Sequence, residues 1–150
     1  MGQGRWALRL KNGLKKRSFM PIEKQLSVFM ENKPGRLSYI CNTLADAQIN
    51  IHAMSVHDTV DHAIVRLMVD NPTKALIILE EEGLYIVTQD VVVLEIENQP
   101  GIISTIAKKL FRADINIEYA YCTATKNQEL GGIVIKTKDA EQTLEILEES

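Results

Sequence analysis

Apolar positions near the start of the chain alternate with polar ones, and those that follow recur at helical spacing. Leu26, Val28 and Met30 occupy every second position of residues 25–30, which predicts a strand with one buried face. The apolar residues of the next segment fall three or four positions apart: Leu37, Ile40, Cys41, Leu44 and Ala47. This second pattern predicts a helix directly after the strand.

Alternation then predicts two further strands, at residues 49–56 and 63–69, joined by a short polar hairpin. Pro72 opens a second predicted helix and Gly83 ends it, because proline favours the first helical turn and glycine the position after the last. A short strand at residues 84–88 completes a βαββαβ unit.

The second half of the chain repeats this pattern. Residues 97–122 match residues 31–56 at 11 of 26 positions, with a proline and a glycine in register. The predicted elements are a strand at 91–97, a helix, strands at 115–123 and 132–137, and a helix at 139–149. The first of these helices carries its apolar residues at Ile103, Ile106, Ala107, Leu110 and Phe111. We therefore expect a tandem duplication.

Each repeat is expected to fold as a ferredoxin-like α+β sandwich, an antiparallel sheet with both helices on one face. The predicted division is a basic leader at residues 1–22, expected to be disordered, and two domains at residues 23–89 and 90–150. The second copy lacks a clear fourth strand. We expect the open edge of its sheet to be covered by the other repeat or by another chain.

The leader is basic and the remainder of the chain is acidic. Six of the 17 basic residues precede Met20, which leaves 11 basic and 20 acidic residues, a formal charge of −9. This acidic body is expected to bind neither nucleic acid nor an anionic membrane. The leader has three interpretations: a disordered arm or the product of an upstream start, a targeting peptide, or an anion-binding arm. We favour the first, because Met20 nearly adjoins the first predicted strand.

The titratable residues indicate no enzyme, no cofactor and no metal site. A metal site at the hairpin around His57 and His62 is the weaker interpretation, because this composition is typical of a solvated turn. Cys41 and Cys122 lie in apolar segments and are predicted to be buried, without a disulfide or zinc spacing. Their reduced state favours the cytoplasm. No apolar stretch approaches the roughly 20 residues of a membrane span.

Each copy carries the motif Asn-x-Pro-Gly between its first strand and first helix, at residues 32–35 and 98–101. Proline restricts φ, and glycine lets another group approach the backbone closely. The helix that follows begins with unsatisfied N–H donors and the positive end of its dipole. This loop is chemically suited to bind the α-carboxylate of an amino acid.

Four asparagines could add hydrogen bonds to such a ligand. Asn32 and Asn98 lie in the loops, and Asn50 and Asn116 open the second predicted strand of each copy. An amide both donates and accepts, so it suits an ammonium group or a carboxylate. The structural interpretation remains open, because asparagine also caps helices and turns chains. Duplication copies structural residues as well, so the recurrence does not decide between the two.

Residues 31–37 with 49–51, and again 97–103 with 115–117, resemble the signature of the ACT domain, a ligand-binding regulatory module. The resemblance covers residues 24–150 and implies the βαββαβ fold. The chain is similar to small stand-alone tandem ACT proteins. The resemblance implies a non-catalytic regulatory protein that binds amino acids at interfaces between ACT units. It also suggests a homodimer and a regulated enzyme partner.

The ligand-binding residues implied by this resemblance are Asn32, Pro34, Gly35, Arg36, Leu37, Asn50, Asn98, Pro100, Gly101, Ile102, Ile103 and Asn116. The serine-sensing type of the family has a histidine two residues before the loop asparagine, where this chain has Met30 and Ile96, so serine is not supported. The copies also differ at Arg36 and Ile102, which predicts unequal loops. The alternative function is an interaction subunit that binds no metabolite.

Overall fold

The computed structural model describes residues 8–11, 13–14 and 21–149. Its elements are β1 (Leu8–Lys11), β2 (Gly13–Leu14), β3 (Ile22–Glu31), α1 (Arg36–Asp46), β4 (Ile51–Asp58), β5 (His62–Val69), α2 (Pro72–Glu81), β6 (Tyr85–Glu97), α3 (Ile102–Arg112), β7 (Tyr119–Thr123), β8 (Leu130–Lys136) and α4 (Ala140–Glu148). The chain forms two compact units. The first unit is Lys24–Gln89, and the second unit is Asp90–Ser150 together with residues that precede Lys24.

The sheet of the first unit has the strand order β6–β3–β5–β4. Strands β3 and β5 are antiparallel, as are β4 and β5. The inward-facing side chains of the strands form one core with the buried side chains of both helices. That core includes Leu26, Val28 and Met30 from β3, Val65 and Leu67 from β5, Ile40 and Leu44 from α1, and Ala75 and Leu79 from α2. The predicted α+β sandwich with helices on one face is confirmed.

The second unit repeats this arrangement with β6, β8 and β7, all paired antiparallel. Alternate residues of β6 and β8 pack against buried residues of α3 and α4. Its core consists of Val92, Leu94, Ile96, Ile106, Leu110, Ile133, Ile135, Leu144 and Leu147. The two helices that follow the Pro-Gly loops end alike. Gln48 and Asp114 have positive φ, and the next residue donates its N–H to the carbonyl of Leu44 or Leu110 at 2.9 Å.

Two predicted strand boundaries were wrong. Residues 84–88 and 91–97 were expected to form separate strands, yet β6 runs through Tyr85–Glu97 without a break. The polar pair Gln89 and Asp90 interrupts the apolar pattern, but neither residue stops an extended chain as proline or glycine would. The strand predicted at residues 115–123 begins only at Tyr119, because Ile115 and Ile117 pack against the second core from an unpaired segment.

In the second unit, the edge of β6 that does not face β8 pairs with residues that precede the first repeat. The Val93 N–H donates to the Pro21 carbonyl at 2.8 Å, and β1 runs parallel to β6 with Leu8 opposite Leu94. The expectation that the other repeat or another chain covers this edge was wrong, because these segments lie beside β6 where a fourth strand is missing. Strands β1 and β2 lie within the predicted leader. The remainder of residues 1–20 lies outside the described residues, so the expectation of a disordered leader stays a prediction.

Several residues of the predicted apolar faces lie partly or wholly at the surface, Ile103 and Ala107 of α3 among them. The side chain of Phe111 on α3 is 81% exposed, and Cys122 on β7 is exposed. Cys41 on α1 is half-buried rather than buried. The apolar arc of α3 is wider than the surface that the second core can cover. Helical periodicity therefore placed Phe111 on the apolar face of α3 correctly, but not in the core.

Candidate functional site

The first loop, residues 31–37, leaves β3 and turns into α1 through a short hydrogen-bonded turn. The Asn32 N–H donates to the carbonyl of Asp61 in the β4–β5 hairpin at 3.1 Å. The Arg36 N–H donates to the Lys33 carbonyl at 3.3 Å. Gly35 has φ 88°, a left-handed conformation that favours glycine. The motif thus sets the direction in which α1 begins.

The second loop, residues 97–103, has the same backbone. The Asn98 N–H donates to the carbonyl of Glu129 in the β7–β8 hairpin at 2.8 Å, and Ile102 N–H to Gln99 at 3.4 Å. Gly101 has φ 89°. Both glycines are exposed, and a Cβ at either position would meet no neighbouring atom within 4 Å, so backbone conformation rather than crowding requires glycine.

The helices that follow the loops differ from the other two at their N-termini. Helix α2 is capped by Asn71, whose Oδ1 accepts from Lys74 N–H at 3.1 Å, and α4 by Asp139, whose Oδ1 accepts from Gln142 N–H at 3.0 Å. Helices α1 and α3 begin at glycine and have no side-chain cap. The duplicated loops therefore leave their helix N-termini open.

The open N-termini present backbone donors. Among the described residues, no hydrogen bond occupies the amides of Leu37 and Ser38 in α1, or those of Ile103 and Ser104 in α3. Such donors, at the positive end of a helix dipole, bind a carboxylate or another small anion. Each loop thus has the backbone chemistry that its sequence predicted.

The loop asparagines have different side-chain environments. The Asn98 Nδ2 donates to the carbonyls of Thr125 at 3.0 Å and Gln128 at 2.9 Å, and so holds the β7–β8 hairpin. The exposed side chain of Asn32 makes no hydrogen bond with the part of the chain that the structure describes. Of the two loop asparagines, only Asn32 keeps its side-chain N–H donors available for a ligand.

Asn50 and Asn116 do not join the loop of their own unit. Asn50 lies beyond the C-terminal end of α1, where its N–H donates to Asp70 Oδ1 at 3.2 Å. Helix α1 has 11 residues, so a rise of 1.5 Å per residue separates Asn50 from the first loop by about 16 Å. Asn116 is exposed at the equivalent position after α3. Asn50 and Asn116 therefore lie at the opposite end of a helix from the loop of their own unit.

The remaining predicted site residues lie around the glycines with unequal exposure. Pro34, Arg36 and Pro100 are exposed, Leu37 packs against the first core and Ile102 against the second. Ile103, the counterpart of Leu37, is 43% exposed. The two loops therefore present different side chains on the same backbone.

Charge separates the loops further. Lys33 Nζ lies 2.6 Å from Glu31 Oε2, and Arg36 Nη2 lies 3.9 Å from Glu31 Oε1. The hydrogen bond from Lys33, then the charges of Lys33 and Arg36, lower the pKa of Glu31. In the second loop, Gln99 Nε2 donates to Glu97 Oε2 at 2.6 Å. One acid and two bases give the first loop a formal charge of +1, and one acid gives the second −1.

Lys33 was not among the predicted site residues. It contacts Glu31, which directly precedes the asparagine and lies opposite His62 in the β3–β5 register. The Lys33 N–H donates to the Glu31 carbonyl at 3.0 Å in a tight turn that follows β3, and this turn brings the two side chains together. The signal in the sequence was the pair of opposite charges two residues apart.

A cavity of about 390 Å³ lies along the hairpin of the second unit. Its lining residues are Glu95, Thr123, Gln128, Glu129, Leu130, Gly131 and Gly132. The two glutamates oppose a carboxylate ligand there. Within residues 21–149, no group of three or more His, Cys, Asp or Glu could hold a metal ion. The described helices are all too short or too polar to cross a membrane.

The fold and the paired loops define a duplicated ferredoxin-like module. A family model described as an ACT domain pair matches residues 20–150. The match spans most of the chain, so the chain belongs to the ACT domain family as a pair of ACT domains. An ACT domain pair is a regulatory module. A comparison with curated protein sequences finds no match.

Solved structures share this architecture. Protein BT0572 from Bacteroides thetaiotaomicron is 31% identical, with a TM-score of 0.79 over 85% of this chain and 87% of that chain. The ligand-free regulatory subunit of aspartate kinase from Thermus thermophilus is 18% identical, with a TM-score of 0.64 over 83% and 93%. The corresponding subunit from Thermus flavus is 17% identical, with a TM-score of 0.59 over 86% and 92%. The aspartate kinase subunits share the fold.

Proposed function

We propose that this protein is a non-catalytic regulatory protein that binds an amino acid through its Asn-x-Pro-Gly loops, at interfaces between ACT units. The observation that carries the proposal is the contrast between capped and open helices. Asn71 and Asp139 cap α2 and α4, whereas α1 and α3 begin at left-handed glycines without a cap. An amino acid's α-carboxylate is the natural partner for the free amide groups.

The distance between Asn50 and the first loop supports a site shared by more than one ACT unit. Helix α1 separates the two by about 16 Å, as its length and a 1.5 Å rise per residue require. A ligand that contacts both asparagines therefore needs a loop from one unit and an Asn50 or Asn116 from another. We propose that a second copy of the chain supplies that unit in a homodimer. The free cysteines favour the cytoplasm as its compartment.

Thermal unfolding in the presence of each of the twenty amino acids tests the proposal. A ligand at 100 times its Kd that binds only the folded chain raises the free energy of unfolding by about 2.7 kcal/mol. We expect one or a few amino acids to raise the melting temperature at millimolar concentration. No shift with any of them contradicts amino-acid binding.

The variants Gly35→Val and Gly101→Val test the loops. A φ of 88° or 89° costs a β-branched residue about 1–2 kcal/mol and shifts the loop, while the cores are untouched. We expect both variants to give the circular dichroism spectrum of the wild type, and at least one to lose the ligand shift. If both bind as the wild type does in calorimetry, the ligand binds elsewhere.

The alternative is an interaction subunit without a metabolite, and exposed apolar side chains favour it. Met54 and Val56 of β4 pair with the core residues Leu67 and Val65, yet are 42% and 47% exposed. Phe111 is 81% exposed. Apolar surface of this kind fits a protein partner, including a regulated enzyme. Under this alternative, amino acids leave the melting temperature unchanged.

A further inference from the structure

The structure points to unequal roles for the two loops. We propose that the first loop alone binds the ligand, and that it selects an amino acid whose side chain carries a second carboxylate. This inference rests on the proposed function and specifies which loop acts and which ligand class it takes.

The side chain of Asn98 is already committed. Its Nδ2 carries two hydrogens, and the carbonyls of Thr125 and Gln128 accept them at 3.0 and 2.9 Å. To donate to a ligand, Asn98 would have to release the β7–β8 hairpin and leave two carbonyls without this donor. Asn32 carries no such cost, because its side chain is exposed and unbonded among the described residues.

The electrostatic field of the second loop also opposes an anion. Its one formal charge, on Glu97, is negative, and the neighbouring cavity is lined by Glu95 and Glu129. Ile102, which replaces Arg36, packs against the second core and offers no polar group to a ligand. The second loop therefore retains the turn and lacks the charge that would hold a carboxylate.

Residues 31–37 of the first loop have the opposite balance of charge, and the acid of the adjacent hairpin, Asp61, is the counterpart of Glu129. Lys33 and Arg36 share a single acid, Glu31, and their side chains are 65% and 50% exposed. Arg36 approaches Glu31 only to 3.9 Å, so its guanidinium keeps donors available. Exposed ion pairs of this kind are weak, so a ligand carboxylate can compete with Glu31 for these donors. The open N-terminus of α1 takes the α-carboxylate, and Lys33 or Arg36 takes the second.

Calorimetric titration of the full chain with glutamate and aspartate, and with glutamine and asparagine as neutral counterparts of the same shape, tests this inference. We expect an acidic amino acid to bind about ten-fold more tightly than its amide. This ratio of dissociation constants is what the replacement of a neutral hydrogen bond by a charge-assisted one would give. We expect one ligand per chain. Two ligands per chain, or equal affinity for acid and amide, would overturn the inference and leave the proposed function standing.

A loop-exchange variant sharpens the test. Lys33→Gln with Arg36→Ile gives the first loop the residues of the second, and both positions are exposed, so the fold should persist. We expect this variant to lose the preference for the acid. The control, Lys108→Gln with Arg112→Gln, removes the same charge from the exposed surface of α3 and should keep it. An equal loss in both variants contradicts a local role for Lys33 and Arg36. If no amino acid binds the wild type, the proposed function itself fails.

Discussion

The two Pro-Gly loops share a backbone and differ in what they present. Both bond their asparagine N–H to the adjacent hairpin, at 3.1 Å for Asn32 and 2.8 Å for Asn98, and both turn at a left-handed glycine. Their side chains differ in charge. The Asn98 side chain donates two hydrogen bonds to the β7–β8 hairpin, whereas the Asn32 side chain makes no hydrogen bond with the described residues. Both copies keep the glycine, because the left-handed backbone conformation of this turn favours glycine. The exposed side chains were free to diverge.

Buried leucines of α1 and α3 provide the first test of whether the two copies are equivalent, and the largest expected effect. Leu44 and Leu110 occupy equivalent positions in α1 and α3, and both are fully buried. We expect Leu44→Ala and Leu110→Ala each to lower the free energy of unfolding by about 2–5 kcal/mol, from lost burial and the cavity left behind. Urea denaturation measures both, with the exposed Lys108→Ala as a control expected within about 0.5 kcal/mol. A loss below about 1 kcal/mol in either leucine variant contradicts equivalent packing in the two cores.

The loop asparagines provide the second test, in which the copies should differ. Asn98→Ala removes the donor for the Thr125 and Gln128 carbonyls, so we expect it to lower the free energy of unfolding by about 1 kcal/mol. Asn32→Ala removes no side-chain hydrogen bond within the described chain and should stay within about 0.5 kcal/mol of the wild type. Chemical denaturation of the two variants in parallel decides it. Equal losses would mean that the asparagines have the same structural role.

A carboxyl group at the start of β3 provides the third test. Glu23 is half-buried, and burial raises its pKa from 4.5 to about 7, whereas the residue 66 positions later is the neutral Gln89. The folded chain therefore holds this proton more tightly than the unfolded chain. The resulting stability is fully present below pH 4.5 and is lost as pH rises through about 7.

Glu23→Gln should remove this pH dependence and make the position resemble its counterpart. We expect the variant to melt at a higher temperature than the wild type at pH 8 and to lose that advantage as the pH falls below 4.5, where Glu23 becomes protonated in both the folded and the unfolded chain. Melting curves across this range for both proteins provide the measurement. If the difference in melting temperature between wild type and variant is the same at every pH, Glu23 is not the source of the pH dependence.

The sequence by itself determined the duplication, the order of the elements and the position of the two loops. These features depend on local chemistry. Apolar periods of two and 3.6 residues distinguish strands from helices, and Pro-Gly at the start of a helix restricts the backbone in either copy. Elements long enough for several periods were therefore predicted within a few residues, as for α1 at Arg36–Asp46.

Tertiary structure alone decided how each loop side chain is used and how the second sheet is completed. The partners of Asn98 lie 27 and 30 residues away in a hairpin that the first copy has in a shorter form. The hydrogen bond from Val93 to Pro21 likewise joins residues that are far apart in sequence. The exposure of Phe111 also depends on what the rest of the fold places beside α3. Local periodicity specifies which face of an element is apolar. The rest of the folded chain determines which residues pack against that face, or whether it stays exposed to solvent.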